Sequence, residues 1–145
     1  MKDIIIFDLD GTLALIEHRR HFVEAGKRQW KEFFAACVDD KPNVPVIRIY
    51  QSMLTCGFPF QHKIFSGRSD EVRKETEEWL DKHVGLYHEL KMRREGDYTP
   101  DEELKRAWAL PILNRIYCVF DDRDKVVKMW RDLGVTCLQV ADGGF

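Results

Sequence analysis

The N-terminal strand is the part of this sequence that most restricts the fold. Residues Ile4–Phe7 are apolar at every position, and the run ends at Asp8. A short strand that is apolar on both faces is usually buried in a parallel sheet with helices on both sides. Ile116–Phe120 has the same pattern. The sequence therefore predicts a parallel sheet at the centre of the protein.

Helical segments separate the predicted strands. Two further β-prone runs, Phe60–Phe65 and Val135–Val140, lie in the same chain. Apolar residues recur at helical spacing in segments 46–54, 72–83 and 126–133. Because strands and helices alternate, the sequence predicts a doubly wound, Rossmann-like α/β fold.

A fourth helix has the clearest start signal in the sequence. Thr99 is expected to cap it, Pro100 suits the first helical position, and Glu102 completes a capping box. We expect this helix to end near Leu110 or Asn114.

Residues 14–43 interrupt the alternation of strands and helices. Four of them have the spacing of one amphipathic helix: Trp30, Phe33, Phe34 and Cys37. Segment 39–43 has the composition of a turn. We interpret residues 14–43 as a small helical cap insertion in a single domain that spans residues 1–145. The aromatic stripe is interpreted as packing rather than as a base-stacking surface.

Composition excludes several classes of protein. The 145 residues include 23 Lys and Arg against 25 Asp and Glu, so a polybasic nucleic-acid binder is excluded and any contact with nucleic acid would be local. The four cysteines form no CxxC pair, which indicates reduced core thiols in a reducing compartment. No apolar run approaches the roughly 20 residues of a membrane span. We therefore expect a cytoplasmic protein with no membrane partner.

The candidate chemistry collects where the predicted strands end. Asp8 and Asp10 follow the first strand, Ser66 follows the second, and Asp121-Asp122 follow the Ile116 run. Ligands of open α/β sheets bind beyond these carboxyl ends. Four carboxylates at one edge would raise one another's pKa values unless a cation lay among them. Oxygen ligands without His or Cys favour Mg²⁺, so a magnesium and phosphate site is predicted.

These residues resemble the motifs of the haloacid-dehalogenase (HAD) superfamily of aspartate-based phosphotransferases. The matching positions are Asp8-x-Asp10-Gly11-Thr12-Leu13, Ser66, Lys105 and Asp121-Asp122. A narrower set is similar to the 3′-phosphatase domain of bacteriophage-type polynucleotide kinase/phosphatases. That set comprises Ser66-Gly67-Arg68, Arg94-Glu95-Gly96-Asp97, residues 101–105 and the tail from Phe120 to Phe145.

The superfamily resemblance implies a mechanism. Asp8 would attack phosphorus and form an aspartyl-phosphate, and Asp10 would serve as general acid and then as general base. The Asp8 carboxylate, the Asp10 backbone carbonyl, and Asp121 or Asp122 would bind Mg²⁺. The sequence leaves open which of the last two contacts the metal. Ser66 and Lys105 would bind the phosphate oxygens in the transition state.

The narrower resemblance implies a set of substrate-binding residues. Arg19, Arg68 and Arg94 would bind phosphates of the substrate, with Asp101 orienting one of them. The loops that hold the substrate would include Gly11, Thr12 and Gly67. Of these, Gly11 would let the backbone approach the phosphate, and Thr12 would shape the turn.

The resulting hypothesis is a Mg²⁺-dependent phosphomonoesterase that removes a 3′-phosphate from polynucleotide ends during nucleic-acid repair. The alternative is a nucleotidase or a general small-molecule HAD phosphatase, and the choice between RNA and DNA stays open. A non-catalytic module that binds nucleic-acid ends is disfavoured because Asp8 and Asp10 are both present. The sequence contains no GxxxxGK[ST] motif, so a 5′-kinase or ligase partner is expected on a separate chain.

Overall fold

The computed structural model describes residues 1–144, so Phe145, the last residue of the tail motif, lies outside the described residues. In chain order the elements are β1 (Ile4–Phe7), β2 (Ala14–Leu15), a 3-10 helix (Glu17–Phe22), α1 (Trp30–Ala35), a 3-10 helix (Ala36–Asp39), β3 (Lys41–Pro42), α2 (Val44–Leu54), β4 (Gln61–Ser69), a 3-10 turn (Asp70–Val72), α3 (Arg73–His83), β5 (Glu89–Arg93), α4 (Asp101–Ala109), a 3-10 helix (Leu110–Arg115), β6 (Ile116–Asp121), α5 (Asp124–Asp132) and β7 (Cys137–Gln139).

Five of these strands form one parallel sheet in the order β5-β4-β1-β6-β7. Strand β1 lies at the centre, where Ile4 pairs with Gln61 on one side and Phe7 pairs with Phe120 on the other. The predicted doubly wound α/β fold is confirmed. Because β1, β4 and β6 are adjacent and parallel, their carboxyl ends open at the same edge of the sheet.

The apolar pattern of β1 has a direct physical cause, since successive side chains point to opposite faces of the sheet. Ile5 and Phe7 pack in a core with α2 and α3. Ile4 and Ile6 pack in a second core with α4 and α5. All four side chains are buried, and each such burial contributes about 1.5–3 kcal/mol to folding. A polar residue at any of the four positions would face one of the two cores.

Three strands were absent from the sequence-based prediction. Strand β5 alternates, with Leu90 and Met92 buried between charged neighbours, because it lies at the edge of the sheet. Strands β2 and β3 pair antiparallel, Ala14 with Pro42 and Leu15 with Lys41. This second pairing places part of the segment that was predicted as a turn against β2.

Two predicted helices differ in detail. Thr99 does not cap α4: its hydroxyl donates to Asp97 Oδ1 at 2.7 Å, and Pro100 occupies the N-cap position. The stripe that begins at Trp30 forms a short α-helix followed by a 3-10 helix instead of one amphipathic helix. The prediction for the cysteines holds for three of them, which are free and buried, but Cys56 is exposed. Within residues 1–144, the helices are too short or too polar to cross a membrane.

Candidate active site

Three carboxylates meet at the carboxyl ends of β1 and β6. Asp8, Asp121 and Asp122 are buried, and each offers one carboxylate oxygen that lies within 4.8 Å of the others. The Thr12 hydroxyl donates to Asp122 Oδ1 at 3.2 Å and also lies 3.4 Å from Asp8 Oδ2. We call these three residues the carboxylate cluster. Its all-oxygen donor set fits Mg²⁺, as predicted from the sequence, and the structure brings both members of the Asp121-Asp122 pair into it.

Lys105 supplies one positive charge to the carboxylate cluster. Its Nζ donates to Asp8 Oδ1 at 2.7 Å and to Asp121 Oδ2 at 3.1 Å, and the side chain is buried. When all three acids are ionised, two negative charges remain without a cation in the cluster. A divalent ion would balance them, which is the strongest physical argument for a metal at this position.

The pKa values of the residues in and beside the carboxylate cluster reflect the same excess of negative charge. Burial, and then the charge of Asp121, raise the pKa of Asp8 well above its usual range. Burial raises the pKa of Asp122 to about 6. Burial alone would lower the pKa of Lys105, but the charges of Asp121 and Asp8 outweigh it, so this pKa is raised. A bound cation would return the two carboxylates to their ionised forms.

The structure groups three of the four carboxylates that were predicted to lie together, because the Asp10 side chain lies apart from the carboxylate cluster in a second group of charges. Its Oδ1 accepts hydrogen bonds from Arg19 Nη2 at 2.7 Å and from Arg68 Nε at 2.8 Å. Burial raises the pKa of Asp10, but the charges of Arg68 and Arg19 outweigh this effect and hold it below its usual range. The Asp10 side chain is partly exposed to the cleft.

Arg19 and Arg68 are themselves fully buried, and a carboxylate that the sequence analysis missed holds them together. Asp40 accepts from Arg19 at 2.6 and 2.7 Å and from Arg68 at 2.8 Å. The remaining partners are Phe33 O for Arg19 and Thr76 Oγ1 for Arg68. We call Asp10, Arg19, Arg68 and Asp40 the arginine cluster. The structure therefore does not support direct contact of Arg19 or Arg68 with substrate, because neither guanidinium reaches the cleft surface.

Asp40 is held from several directions. Its backbone oxygen accepts the indole N–H of Trp79 at 2.9 Å, and His18 Nε2 lies 2.7 Å from Oδ1. In the sequence it stands in a short acidic, proline-containing segment that resembles a solvated turn. Pairing of β2 with β3 and packing against α3 bury it instead, and neither contact has a local signal in the sequence.

Glycines allow the loops of the site to approach the acids. Gly11 has φ of +82°, and a Cβ there would lie 2.2 Å from Asp122 Oδ2. At Gly67 a Cβ would lie 2.3 Å from Asp101 Oδ1. Both positions need glycine because a carboxylate, that of Asp122 or of Asp101, packs directly on the backbone. This requirement holds whether or not a phosphate also approaches the loop.

Ser66 is buried within β4, which continues to Ser69, and its Oγ accepts the N–H of Arg68 at 3.1 Å. Gly67 and Ser69 line the cleft among the described residues, whereas Ser66 does not. Contact of Ser66 with phosphate stays a prediction, and so does the substrate-binding role of Arg94, which is exposed on the loop after β5.

Asp101 orients two arginines that the sequence analysis did not select. Its Oδ1 accepts from Arg93 at 2.5 Å and its Oδ2 from Arg123 at 3.2 Å. Arg93 also donates to the carbonyl oxygens of Gly67, Asp97 and Thr99. The expectation that Asp101 orients Arg19, Arg68 or Arg94 is wrong. Arg93 instead ties together the loops after β4 and β5.

A cleft of about 1080 Å³ connects these groups to solvent. Its floor includes Asp8, Asp10, Lys105 and the Asp121-Asp122 pair. One wall comes from residues 16–34 and the other from the loop after β5. The cleft thus exposes the nucleophile predicted from the sequence between two separate walls.

Comparisons with known proteins agree with this arrangement. Residues 2–145 match the family model of the phosphatase domain of polynucleotide kinase PNKP. A viral protein described as a bifunctional polynucleotide kinase/RNA ligase, from Autographa californica nuclear polyhedrosis virus, is 29% identical over 139 residues. That match covers 90% of this chain and 18% of the viral protein.

Solved structures extend the comparison. A chain of the Pnkp1/Rnl/Hen1 RNA repair complex superimposes with a TM-score of 0.82 and 31% identity, over 98% of this chain and 43% of that one. The haloacid dehalogenase-like hydrolase SP0104 from Streptococcus pneumoniae has a TM-score of 0.62 at 13% identity, over 94% of this chain and 83% of that one, which shows the shared fold alone. This chain therefore spans less than half the length of the viral protein and of the repair-complex chain.

Proposed function

The chain belongs to the family of polynucleotide kinase phosphatase domains, and on this premise we propose that it removes 3′-phosphates from polynucleotide ends as a Mg²⁺-dependent phosphomonoesterase. One observation carries the proposal. The buried carboxylate cluster, with its uncompensated negative charge and its single lysine, lies on the floor of an open cleft. A cation and a phosphate monoester are the ligands that this charge pattern suits.

Asp8, Asp121 and Asp122 are the residues that would hold Mg²⁺. The ion, when bound, supplies positive charge that keeps these carboxylates ionised and stabilises negative charge on a phosphoryl group. Lys105 would contribute a second positive charge on the same floor. Its contact with Asp8 Oδ1 also fixes the orientation of that carboxylate.

Asp8 would act as the nucleophile. Its carboxylate oxygen forms a bond to phosphorus while the bond between phosphorus and the 3′-oxygen breaks, and the 3′-oxygen takes up a proton to leave as a hydroxyl. Water then attacks the aspartyl-phosphate, releases inorganic phosphate and restores Asp8. Two steps with lower barriers thus replace one direct hydrolysis.

Asp10 would transfer the protons in both steps. The two arginines hold it in the ionised form, so the resting side chain is ready to take a proton from the attacking water. For the first step, Asp10 would pass on a proton brought by the monoanionic form of the phosphate ester, whose second pKa is about 6. We propose that Arg19, Arg68 and Asp40 position Asp10 and do not bind substrate themselves.

The walls of the cleft favour a polymer end over a small metabolite. Residues 14–43 add only two short strands, one short α-helix and two 3-10 helices, and we propose that they form a small cap at one side of the cleft. The relatives named above include a polynucleotide kinase/RNA ligase and a member of an RNA repair complex. By this similarity, we propose that a 5′-kinase or ligase acts on the same ends.

Phosphate release from four substrates tests the proposed function. They are an oligonucleotide with a 3′-phosphate, the same oligonucleotide with a 5′-phosphate, a 3′-mononucleotide and an aryl phosphate. Each is assayed with Mg²⁺ and with chelator, beside Asp8→Asn. We expect Mg²⁺-dependent release with the highest kcat/KM on the 3′-phosphorylated oligonucleotide. Faster release from the mononucleotide or aryl phosphate would instead identify a nucleotidase or general phosphatase.

A further inference from the structure

A second recess continues outward from the active-site cleft. It has a volume of about 620 Å³ and is lined by Val23, Gly26, Lys27, Arg28, Trp30 and Tyr98. Three of these residues, Val23, Trp30 and Tyr98, also line the cleft. We call this region the outer recess. Because the two spaces share a border, a chain whose end lies at Asp8 could continue past Trp30 and Tyr98.

Two large aromatic side chains at this border are exposed. Tyr98 is 87% exposed and Trp30 is 44% exposed, and exposed aromatic side chains that line the same groove are typical of a ligand-binding surface. The Trp30 ring contacts Phe33 edge-on and stacks on Phe34 at 6.0 Å. These contacts support one side of the ring and leave another side open. Phe33 packs inside the structure, so the aromatic stripe divides into a buried part and an exposed Trp30.

The loop that carries Tyr98 is fixed. Arg93 donates to the carbonyl oxygens on both sides of it, those of Asp97 and Thr99. Asp97 Oδ1 accepts from both the backbone N–H and the hydroxyl of Thr99. An exposed aromatic ring on a fixed loop loses little conformational freedom when it stacks on a ligand.

Charge changes sign along the path from the cleft to the outer recess. Acidic residues dominate the cleft floor, whereas the outer recess contains Lys27 and Arg28 and no carboxylate. Both cations are exposed, and neither has an ion-pair partner within residues 1–144. A ligand that fits both regions carries a terminal phosphate, an aromatic group and a further negative charge.

We propose that the outer recess binds a nucleotide upstream of the reacting 3′ end of a single-stranded polynucleotide. Its base stacks on Trp30 and Tyr98, and a phosphodiester group faces Lys27 and Arg28. Combined aromatic stacking and positive charge is the usual way in which proteins hold single strands. This inference rests on the proposed function and adds a binding site for the body of the substrate. A mononucleotide or an aryl phosphate is too short to fill it.

The first test compares substrates of increasing length. Single-stranded oligonucleotides of one to six nucleotides, each with a 3′-phosphate, are assayed beside an aryl phosphate. We expect kcat/KM to rise sharply once an upstream nucleotide is present. Trp30→Ala and Tyr98→Ala should each lower the ratio of oligonucleotide to aryl phosphate kcat/KM by about tenfold. Trp30→Phe keeps an aromatic ring and should restore most of this ratio.

Matched substitutions control for general effects on the surface. Tyr117→Ala removes a 52% exposed tyrosine near the start of β6, at the other end of the sheet. Lys27→Gln with Arg28→Gln is compared with Lys74→Gln and Lys82→Gln, two exposed positions on α3. Only the recess pair should weaken the dependence of oligonucleotide turnover on salt concentration. The control variants should leave the ratio of the two substrates unchanged.

Binding without turnover separates this inference from the proposed function. The Asp8→Asn protein is titrated with a labelled oligonucleotide that ends in a 3′-hydroxyl, and fluorescence anisotropy is recorded with and without the Trp30 and Tyr98 substitutions. Weaker binding of the aromatic variants supports the outer recess. Equal binding by all variants would overturn the proposal for the outer recess, and so would equal losses of activity on oligonucleotide and aryl phosphate. Neither result would contradict Mg²⁺-dependent release of 3′-phosphate. Absence of 3′-phosphate release from every oligonucleotide would instead refute the proposed function.

Discussion

The carboxylate cluster lines the cleft, whereas the arginine cluster is buried and borders the cleft only through Asp10, and the charges of the two clusters are arranged in opposite ways. Asp8, Asp121 and Asp122 face a single lysine, so negative charge is in excess. In the arginine cluster, two guanidinium groups face two carboxylates, and the charges balance. Buried charge that is unbalanced is neutralised either by a proton or by a bound cation, whereas balanced charge needs neither.

This difference separates residues that act on substrate from residues that hold others in place. In the sequence, Asp8 and Arg68 both belong to motifs of a phosphatase family, and nothing local distinguishes their roles. In the structure, the carboxylate cluster has the charge of a metal site, whereas the arginines of the arginine cluster bond to other protein groups and thereby support Asp10. Asp10 belongs to the arginine cluster but borders the cleft, so it links the supporting residues to the place where substrate would react.

The largest expected effect comes from Asp8→Asn, which tests the unbalanced cluster. Loss of the nucleophile should lower kcat by about 10⁴-fold or more, as for other nucleophile substitutions. The fold should persist, because the change removes one of three mutually repelling carboxylates. Phosphate release and thermal unfolding measure the two expectations. Retention of even a tenth of wild-type turnover would show that Asp8 is not the nucleophile.

Asp40→Asn tests the balanced cluster. It leaves two buried guanidinium groups facing one carboxylate, and breaking a buried ion pair costs about 3–5 kcal/mol of folding free energy. Urea unfolding should show this loss. Asp39→Asn is the matched control, since Asp39 is the adjacent residue and its side chain is exposed. If both variants unfold at the same urea concentration, the arginine cluster does not support the fold.

Arg68→Lys sharpens the comparison with a smaller change. A lysine cannot reproduce the separate hydrogen bonds that Arg68 makes to Asp10, Asp40 and Thr76. Because Arg68 would act through Asp10, we expect kcat to fall by about tenfold on oligonucleotide and aryl phosphate alike. A loss confined to the oligonucleotide, read from parallel assays, would return Arg68 to the substrate-binding role that the sequence predicts.

The sequence predicted the features that depend on nearest neighbours along the chain. The apolar run of β1 and the acids directly after it identified the central strand and the nucleophile. Strand β6 and helix α5 followed from similar local patterns. These elements are predictable because their apolar side chains face a core, so the buried positions recur at a regular spacing in the sequence.

The features that the sequence did not predict depend on contacts between distant residues. Asp40 is buried next to the pairing of β3 with β2, where Trp79, far along the chain, donates to its backbone and Arg19 and Arg68 donate to its carboxylate. Arg93 lies at the end of an edge strand whose alternating pattern spans only five residues and contains only two apolar side chains. Arg19 and Arg68 carried the correct chemistry for phosphate binding, but the acids opposite them decide what they contact. Long-range ion pairing leaves no periodic signal in one sequence.

Mg²⁺ binding tests the central claim most directly. Isothermal titration calorimetry is performed on the wild-type protein, on Asp122→Asn in the carboxylate cluster and on Arg68→Lys in the arginine cluster. We predict that the wild-type protein and Arg68→Lys bind Mg²⁺ with similar affinity, and that Asp122→Asn binds at least tenfold more weakly. Thermal unfolding should show the same order, with about 2.7 kcal/mol of stabilisation at a hundredfold excess over Kd. Absence of binding to the wild-type protein, or equal binding by Asp122→Asn, would contradict the account.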